Sequence, residues 1–148
     1  MQETPGITAE LEKVRDYLAE EGYRPSVKKE DILLDYRGWR VIVGNDQDDT
    51  DYFYVLIPYF WEIESDSERA MALEAASEVT GRFKVAKVWL TSDRTNVSAM
   101  TGAFSKTPEA FCEVVGRHIS IATASVEAFR SRMIEMRSAT PPPAEAGP

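Results

Sequence analysis

The stretch from Tyr52 to Ile63 constrains this chain more than any other. It is the longest uninterrupted run of β-forming residues. Counted with period 2, one side carries Phe53, Val55, Ile57, Tyr59, Trp61 and Ile63. The other carries Tyr52, Tyr54, Leu56, Pro58, Phe60 and Glu62. A half-buried strand is polar on one side. Here both sides are apolar as far as Phe60. The strand is therefore covered on both faces, or one face is left for a partner. Pro58 divides the run, because proline lacks the N–H that a central ladder needs. Phe53, Val55 and Ile57 before it are expected under helices. Tyr59, Phe60 and Trp61 lie past the break, where the strand can bend toward a partner.

The rest of the chain supplies a scaffold for that strand. Thr8 is placed to cap a first helix with Leu11, Val14 and Leu18 on its apolar side, closed by Gly22. Ile32–Tyr36 and Trp39–Gly44 read as strands joined by the two-residue turn Arg37-Gly38, which forces an antiparallel hairpin. A second helix is expected from a cap at Asp66 or Ser67 to about Thr80, ended by Gly81. Its apolar set is Ala70, Met71, Leu73, Ala75, Ala76 and Val79. Strands over 83–90 and 97–104 follow. Thr107 caps a long third helix with Pro108 at its first position. Its core stripe includes Phe111, Val114, Val115, His118, Ile121, Phe129 and Met133. Strands and helices segregate along the chain. The fold class is therefore α+β, in the order α-β-β-β-α-β-β-α, with a mainly antiparallel five-stranded sheet and one crossover. Residues 8–137 form one domain. Residues 1–7 are a lead-in, and the proline-rich 138–148 a disordered tail.

Charge excludes one class of function. Residues 1–81 hold 19 acids against 8 bases, and residues 82–148 hold 6 against 9. The acidic excess argues against nucleic-acid binding. No apolar run is long enough to span a membrane, no signal peptide is visible, and Cys112 is the single cysteine. The expected location is the cytoplasm.

No reaction is spelled out. Asp46, Asp48, Asp49 and Asp51 invite a calcium reading. An EF-hand loop starting at Asp46 would need glycine at its sixth position and glutamate at its twelfth, where Asp51 and Ile57 stand. A solvated hairpin loop is the better reading, with an acidic-loop metal sensor as the lesser alternative. Cys112 and His118 lie on one helix, six positions apart, and point away from each other. No nucleophile elbow, phosphate loop or dinucleotide fingerprint is present. The chain is expected to be neither an enzyme nor a cofactor carrier. What remains is apolar surface: the other face of the sheet still carries Tyr52, Tyr54, Leu56 and Phe60, with Ile42 beside them. One alternative is that the second helix covers that face completely. Otherwise self-association or capture of a partner segment accounts for it.

Several features taken together resemble the YbjN-like family, whose fold is that of the type III secretion chaperones. They are Gly22-Tyr23 with Pro25, the turn at Gly38, Ile57-Pro58, and the alanine-rich helix with Arg69, Ala70, Leu73 and Ala76. Lys87-Val88, Asn96-Val97 and the long closing helix with Phe111 complete them. The resemblance covers about residues 8–136. An asparagine often found at the end of the second helix is replaced here by Val79-Thr80-Gly81. The resemblance implies a homodimer with a protein-binding, chaperone-like or regulatory role. Members labelled sensory transduction regulators have no defined biochemical activity. The expected partners are a second copy and an unidentified client. The expected contact residues are Tyr52, Tyr54, Leu56, Tyr59, Phe60 and Trp61. A homodimer with no client is the alternative.

Overall fold

A computed structural model describes residues 6–139. In order, the elements are α1 (Ala9–Glu20), β1 (Ser26–Lys28), β2 (Asp31–Tyr36), β3 (Trp39–Asp46), β4 (Asp49–Glu62), α2 (Asp66–Arg82), β5 (Ala86–Leu90), β6 (Asn96–Phe104) and α3 (Pro108–Ala139). The α+β class and the helix order are as read from the sequence. The sheet has six strands, not five, in the order β1-β2-β3-β4-β6-β5. The extra strand, β1, pairs through three residues with β2. It is too short and too polar to show a period of its own. Every adjacent pair is antiparallel. The chain leaves β4, crosses over through α2, skips one position and returns through β6.

Caps fix the helix ends. Thr8 Oγ1 accepts the Leu11 N–H at 3.0 Å. At the other end of α1, Tyr23 N donates to Leu18 O and Gly22 N to Ala19 O, the paired bonds of a Schellman motif. Helix α2 starts one residue earlier than expected. Ser65, not Asp66 or Ser67, is its cap, accepting from Glu68 N. The helix also runs through Gly81 to Arg82, because a mid-helix glycine costs only about 1 kcal/mol. Thr107 caps α3 as expected. Helix α3 carries Ser138 and Ala139, the first residues assigned to the tail. Residues 140–148 of that tail lie outside the described residues, as do residues 1–5 of the lead-in. The Arg37-Gly38 turn has φ of 49° and 84°. Positive φ at both central residues is the geometry that matches the twist of a hairpin.

The strands alternate cleanly. Ile32, Leu34, Val41, Val43, Phe53, Val55, Ile57, Val88, Val97 and Ala99 point to one face. There they share a single buried cluster with Leu11, Val14 and Leu18 of α1, Ala72, Ala75, Ala76 and Val79 of α2, and Phe111, Val115, Ile119, Ala122, Val126, Phe129 and Met133 of α3. All three helices therefore lie on the same side. The alternative in which α2 covers the opposite face is ruled out among the described residues. Phe53 and Phe111 stack across this core with ring centroids 4.7 Å apart.

Candidate functional site

The face without helices is built from the opposite parity of the same strands. One register row runs Leu33, Ile42, Leu56, Met100, Lys87 from β2 to β5. All but Lys87 are half-buried apolar side chains. The neighbouring row runs Gly44, Tyr54, Gly102, with Asp31 one position before the paired Ile32. The two glycines explain how the tyrosines sit. A Cβ on Gly44 would lie 2.2 Å from the Tyr54 ring, and one on Gly102 would lie 2.2 Å from the Tyr52 hydroxyl. Each ring lies flat on a glycine backbone, where any other residue would hold it away. Tyr54 spans β3 in this way and brings its hydroxyl toward the Asp31 carboxylate on β2. Phe104, 75% exposed, extends the aromatic row at 5.1 Å from Tyr52, which is 6.1 Å from Tyr54.

The electrostatics of this face are acidic at the tyrosine end. Burial, then the charge of Asp31, pushes the Tyr54 phenol up. Burial, then Asp46, does the same to Tyr52. Burial, then Glu30, raises the Asp31 carboxyl, against the opposing influence of the Tyr54 hydroxyl. The far end carries Lys87, whose ammonium sits 5.9 Å from the Trp89 ring centre.

Because the Tyr54 ring needs the space over Gly44, Gly44→Ala is expected to lift it off the sheet. The cost is about 1–3 kcal/mol. In urea unfolding, Gly44→Ala combined with Tyr54→Ala should cost less than the two single changes added together. Strict additivity would show that ring and glycine do not interact.

Past Ile57 the strand departs from regular pairing. Ile57 pairs with Ala99 and Trp61 with Val97, so β4 carries two extra residues there. Tyr59 takes φ of 50° and stands 69% exposed, its N–H donating to Ser98 Oγ. The two extra residues leave the parity beyond the bulge unchanged, so Trp61 lies opposite core-facing Val97, but within the bulge the alternation is lost. Phe60, expected on the open face, turns into the helix side and meets Phe129 edge-on at 5.4 Å and Trp39 at 6.2 Å. Trp61 meets Phe129 at 5.7 Å. The six expected contact residues are therefore not one patch. Tyr52, Tyr54 and Leu56 share the open face, Tyr59 stands alone at the bulge, and Phe60 and Trp61 pack on the core.

Trp61 also belongs to a polar knot that sequence reasoning missed. The Glu68 side chain is 6% exposed. It accepts from Trp61 Nε1 at 3.0 Å, from Glu64 N at 3.1 Å and from Arg137, whose guanidinium lies 4.9 Å over the Trp61 ring. Burial pushes the Glu68 carboxyl up. The hydrogen bonds from Glu64, Trp61 and Arg137 and the charge of Arg137 outweigh it, so the pKa ends below the ordinary value. The signal was present in the sequence. Ser65-Asp-Ser-Glu68 is a capping-box pattern, and in the fold its glutamate serves the N–H one residue before the cap.

Other singled-out residues have structural work. His118 is buried, and its Nδ1 lies 2.9 Å from Thr101 Oγ1. Burial, then Arg117, lowers its pKa. Burial, then Glu109, raises the Cys112 thiol and so holds it protonated. Asp46 and Asp49 pair at the tip of the β3–β4 hairpin, and Asp46 Oδ1 accepts from Asp48 N. No three His, Cys, Asp or Glu side chains among the described residues converge as a metal site. Buried Asn45, which sequence analysis passed over, stitches the bulge beside that hairpin. Its Nδ2 donates to Thr50 O and Tyr52 O, and its Oδ1 accepts from the Thr8 cap hydroxyl. Thr80 is another. Its Oγ1 accepts from Val88 N at 2.9 Å and donates to Val88 O at 3.3 Å. The outer main-chain groups of the edge strand β5 are thereby occupied at its centre.

No family model and no curated protein matches the chain. Solved structures do. YbjN from E. coli, described as a candidate transcription regulator, superposes with a TM-score of 0.54 at 14% identity, covering 86% of this chain and 91% of that one. An uncharacterised protein from Methanothermobacter thermautotrophicus superposes with a TM-score of 0.55 at 10% identity, covering 84% and 99%. At these identities the likeness is one of fold. The chain has a YbjN-like fold, as the sequence resemblance implied. Among the described residues no helix is long and apolar enough to cross a membrane.

Proposed function

We propose that this protein is a non-catalytic, cytoplasmic protein-binding module of chaperone-like or regulatory type. It works as a homodimer that holds a client segment on the helix-free face. The observation that carries this is the open face itself: Leu33, Ile42, Leu56 and Met100, with Tyr52, Tyr54 and Phe104, form a contiguous apolar and aromatic surface on which no described helix packs. Contiguous exposed apolar surface of this kind marks interaction sites. The YbjN-like fold and the resemblance to the secretion-chaperone type support the reading. The acidic balance weighs against a regulator that grips the phosphate backbone.

Thr80 bears on how a client is held. Strand addition to β5 would have to displace it from Val88. The face is open without any such step, so on the β5 side the client's side chains dock onto the sheet rather than its backbone extending it. A homodimer with no client is the second reading, favoured if the face is wholly used between two copies.

Leu56→Glu tests the proposal, because it places a charge at the centre of the row. Sedimentation at micromolar concentration should show a dimer for the wild type and a monomer for the variant, with unchanged far-UV circular dichroism. Wild type that stays monomeric rejects the homodimer. Client recovery equal for wild type and variant rejects the face as the binding site.

A further inference from the structure

On α3, Val114, Arg117, His118 and Ile121 stand at helical spacing along one line. They face Lys84 and Val85, just before β5, across a cavity of about 260 Å³. The sequence pattern placed Val114 and Ile121 in the core. The structure leaves Val114 36% exposed and Val85 57% exposed, because the short connection before β5 does not close over them. Val85 has φ of 56°. A β-branched residue is a true outlier there, and such strain collects at binding sites.

The polar side-chain groups of the residues lining the cavity, Lys84, Arg117 and His118, are all nitrogen. His118 is tied through Nδ1 to Thr101. No buried side-chain nitrogen or oxygen among the described residues lacks a hydrogen bond, and no hydrogen bond among them engages Nε2, so Nε2 is accessible on a residue that lines the cavity. Neither Lys84 nor Arg117 makes an ion pair among the described residues. In a chain with 25 acids against 17 bases, two cations without carboxylate partners on one apolar-walled cavity stand out.

We infer that this cavity binds a carboxylate bearing a short aliphatic chain. The head group meets Arg117, Lys84 and His118 Nε2, and the chain lies against Val85, Val114 and Ile121. Arginine is suited to a carboxylate through its paired donors. The apolar walls distinguish this ligand from inorganic phosphate, which would leave them uncovered. The carboxylate can be that of a free short-chain acid or the C-terminus of a polypeptide ending in an aliphatic residue. The site is separate from the open sheet face and does not depend on its function.

His118 is the only histidine of the chain, so its ring resonances report this cavity alone. The probes are sodium hexanoate, the tripeptide Ala-Ala-Leu as free acid and as amide, hexylammonium chloride, and sodium chloride at matched ionic strength. Saturable shifts of the His118 ring signals with hexanoate or the free-acid tripeptide are expected, and which of the two binds identifies the source. Loading should also raise the His118 pKa, since a bound anion favours the imidazolium. Arg117→Gln and Lys84→Gln, both folded by circular dichroism, should each weaken binding about tenfold or more. Absence of saturation with both acids overturns the inference. So does equal binding of hexylammonium, or both variants binding like the wild type.

Discussion

Glu68→Ala should cost about 3 kcal/mol of stability, seen as a lower urea midpoint and a melting temperature lower by about 10 °C. The carboxylate is the shared acceptor for Trp61 Nε1, Glu64 N and Arg137. Its removal leaves the indole and the amide without their acceptor. Glu68→Gln keeps one acceptor oxygen and should cost about half as much. The acid limb gives a second readout. The folded pKa of Glu68 lies below its unfolded value. Its contribution is therefore fully present above the unfolded value and is lost as pH falls through the folded one. The stability difference between wild type and Glu68→Gln should shrink over that window. A difference independent of pH would mean that the charge of Glu68 plays no part.

Phe129→Ala should be the largest single-residue loss, about 3–5 kcal/mol. The side chain is fully buried, and two aromatic rings, Phe60 and Trp61, meet it edge-on. Trp39 closes the group from the other side of Phe60. Removing Phe129 leaves a void that rigid rings fill poorly. The cost should therefore fall in the upper part of the range, and near-ultraviolet circular dichroism from Trp61 should weaken with it. Phe129→Leu should recover part of the loss. A loss below about 1 kcal/mol would show that the bulge repacks freely.

The Phe60–Trp61–Phe129 group also shows where the sequence stopped being readable. Period 2 gave the faces of the first half of β4 correctly, because that half keeps one residue per ladder step. Pro58 signalled a break, but a proline does not say how many residues the bulge absorbs. The two added between Ile57 and Trp61 turned Phe60 to the core side. Helix α2 was hard for a related reason. Its buried residues, Glu68, Ala72, Ala75, Ala76 and Val79, share one side, but alanines and a glutamate make a weak apolar stripe, and Leu73, assigned to the core, is exposed. Strand β1 is held by pairing with β2 rather than by any pattern of its own. Asn45 and Thr80 act through side-chain bonds to backbone five to eight positions away on another element. Spacing alone carries no trace of such bonds. Tyr52, Tyr54 and Leu56 were legible because surplus apolar residues on a strand with one face already committed have only one other place to go.

Thr80 has one more consequence. Pairing that joins one sheet edge to the other edge of the next copy repeats and grows into open chains. Contact through a face uses the same patch on both copies and closes at two. By filling the outer groups of Val88, a single threonine hydroxyl on α2 makes growth along β5 unfavourable while leaving the open face untouched. The route to a filament along β5 is thus obstructed by a side chain from a helix on the covered layer.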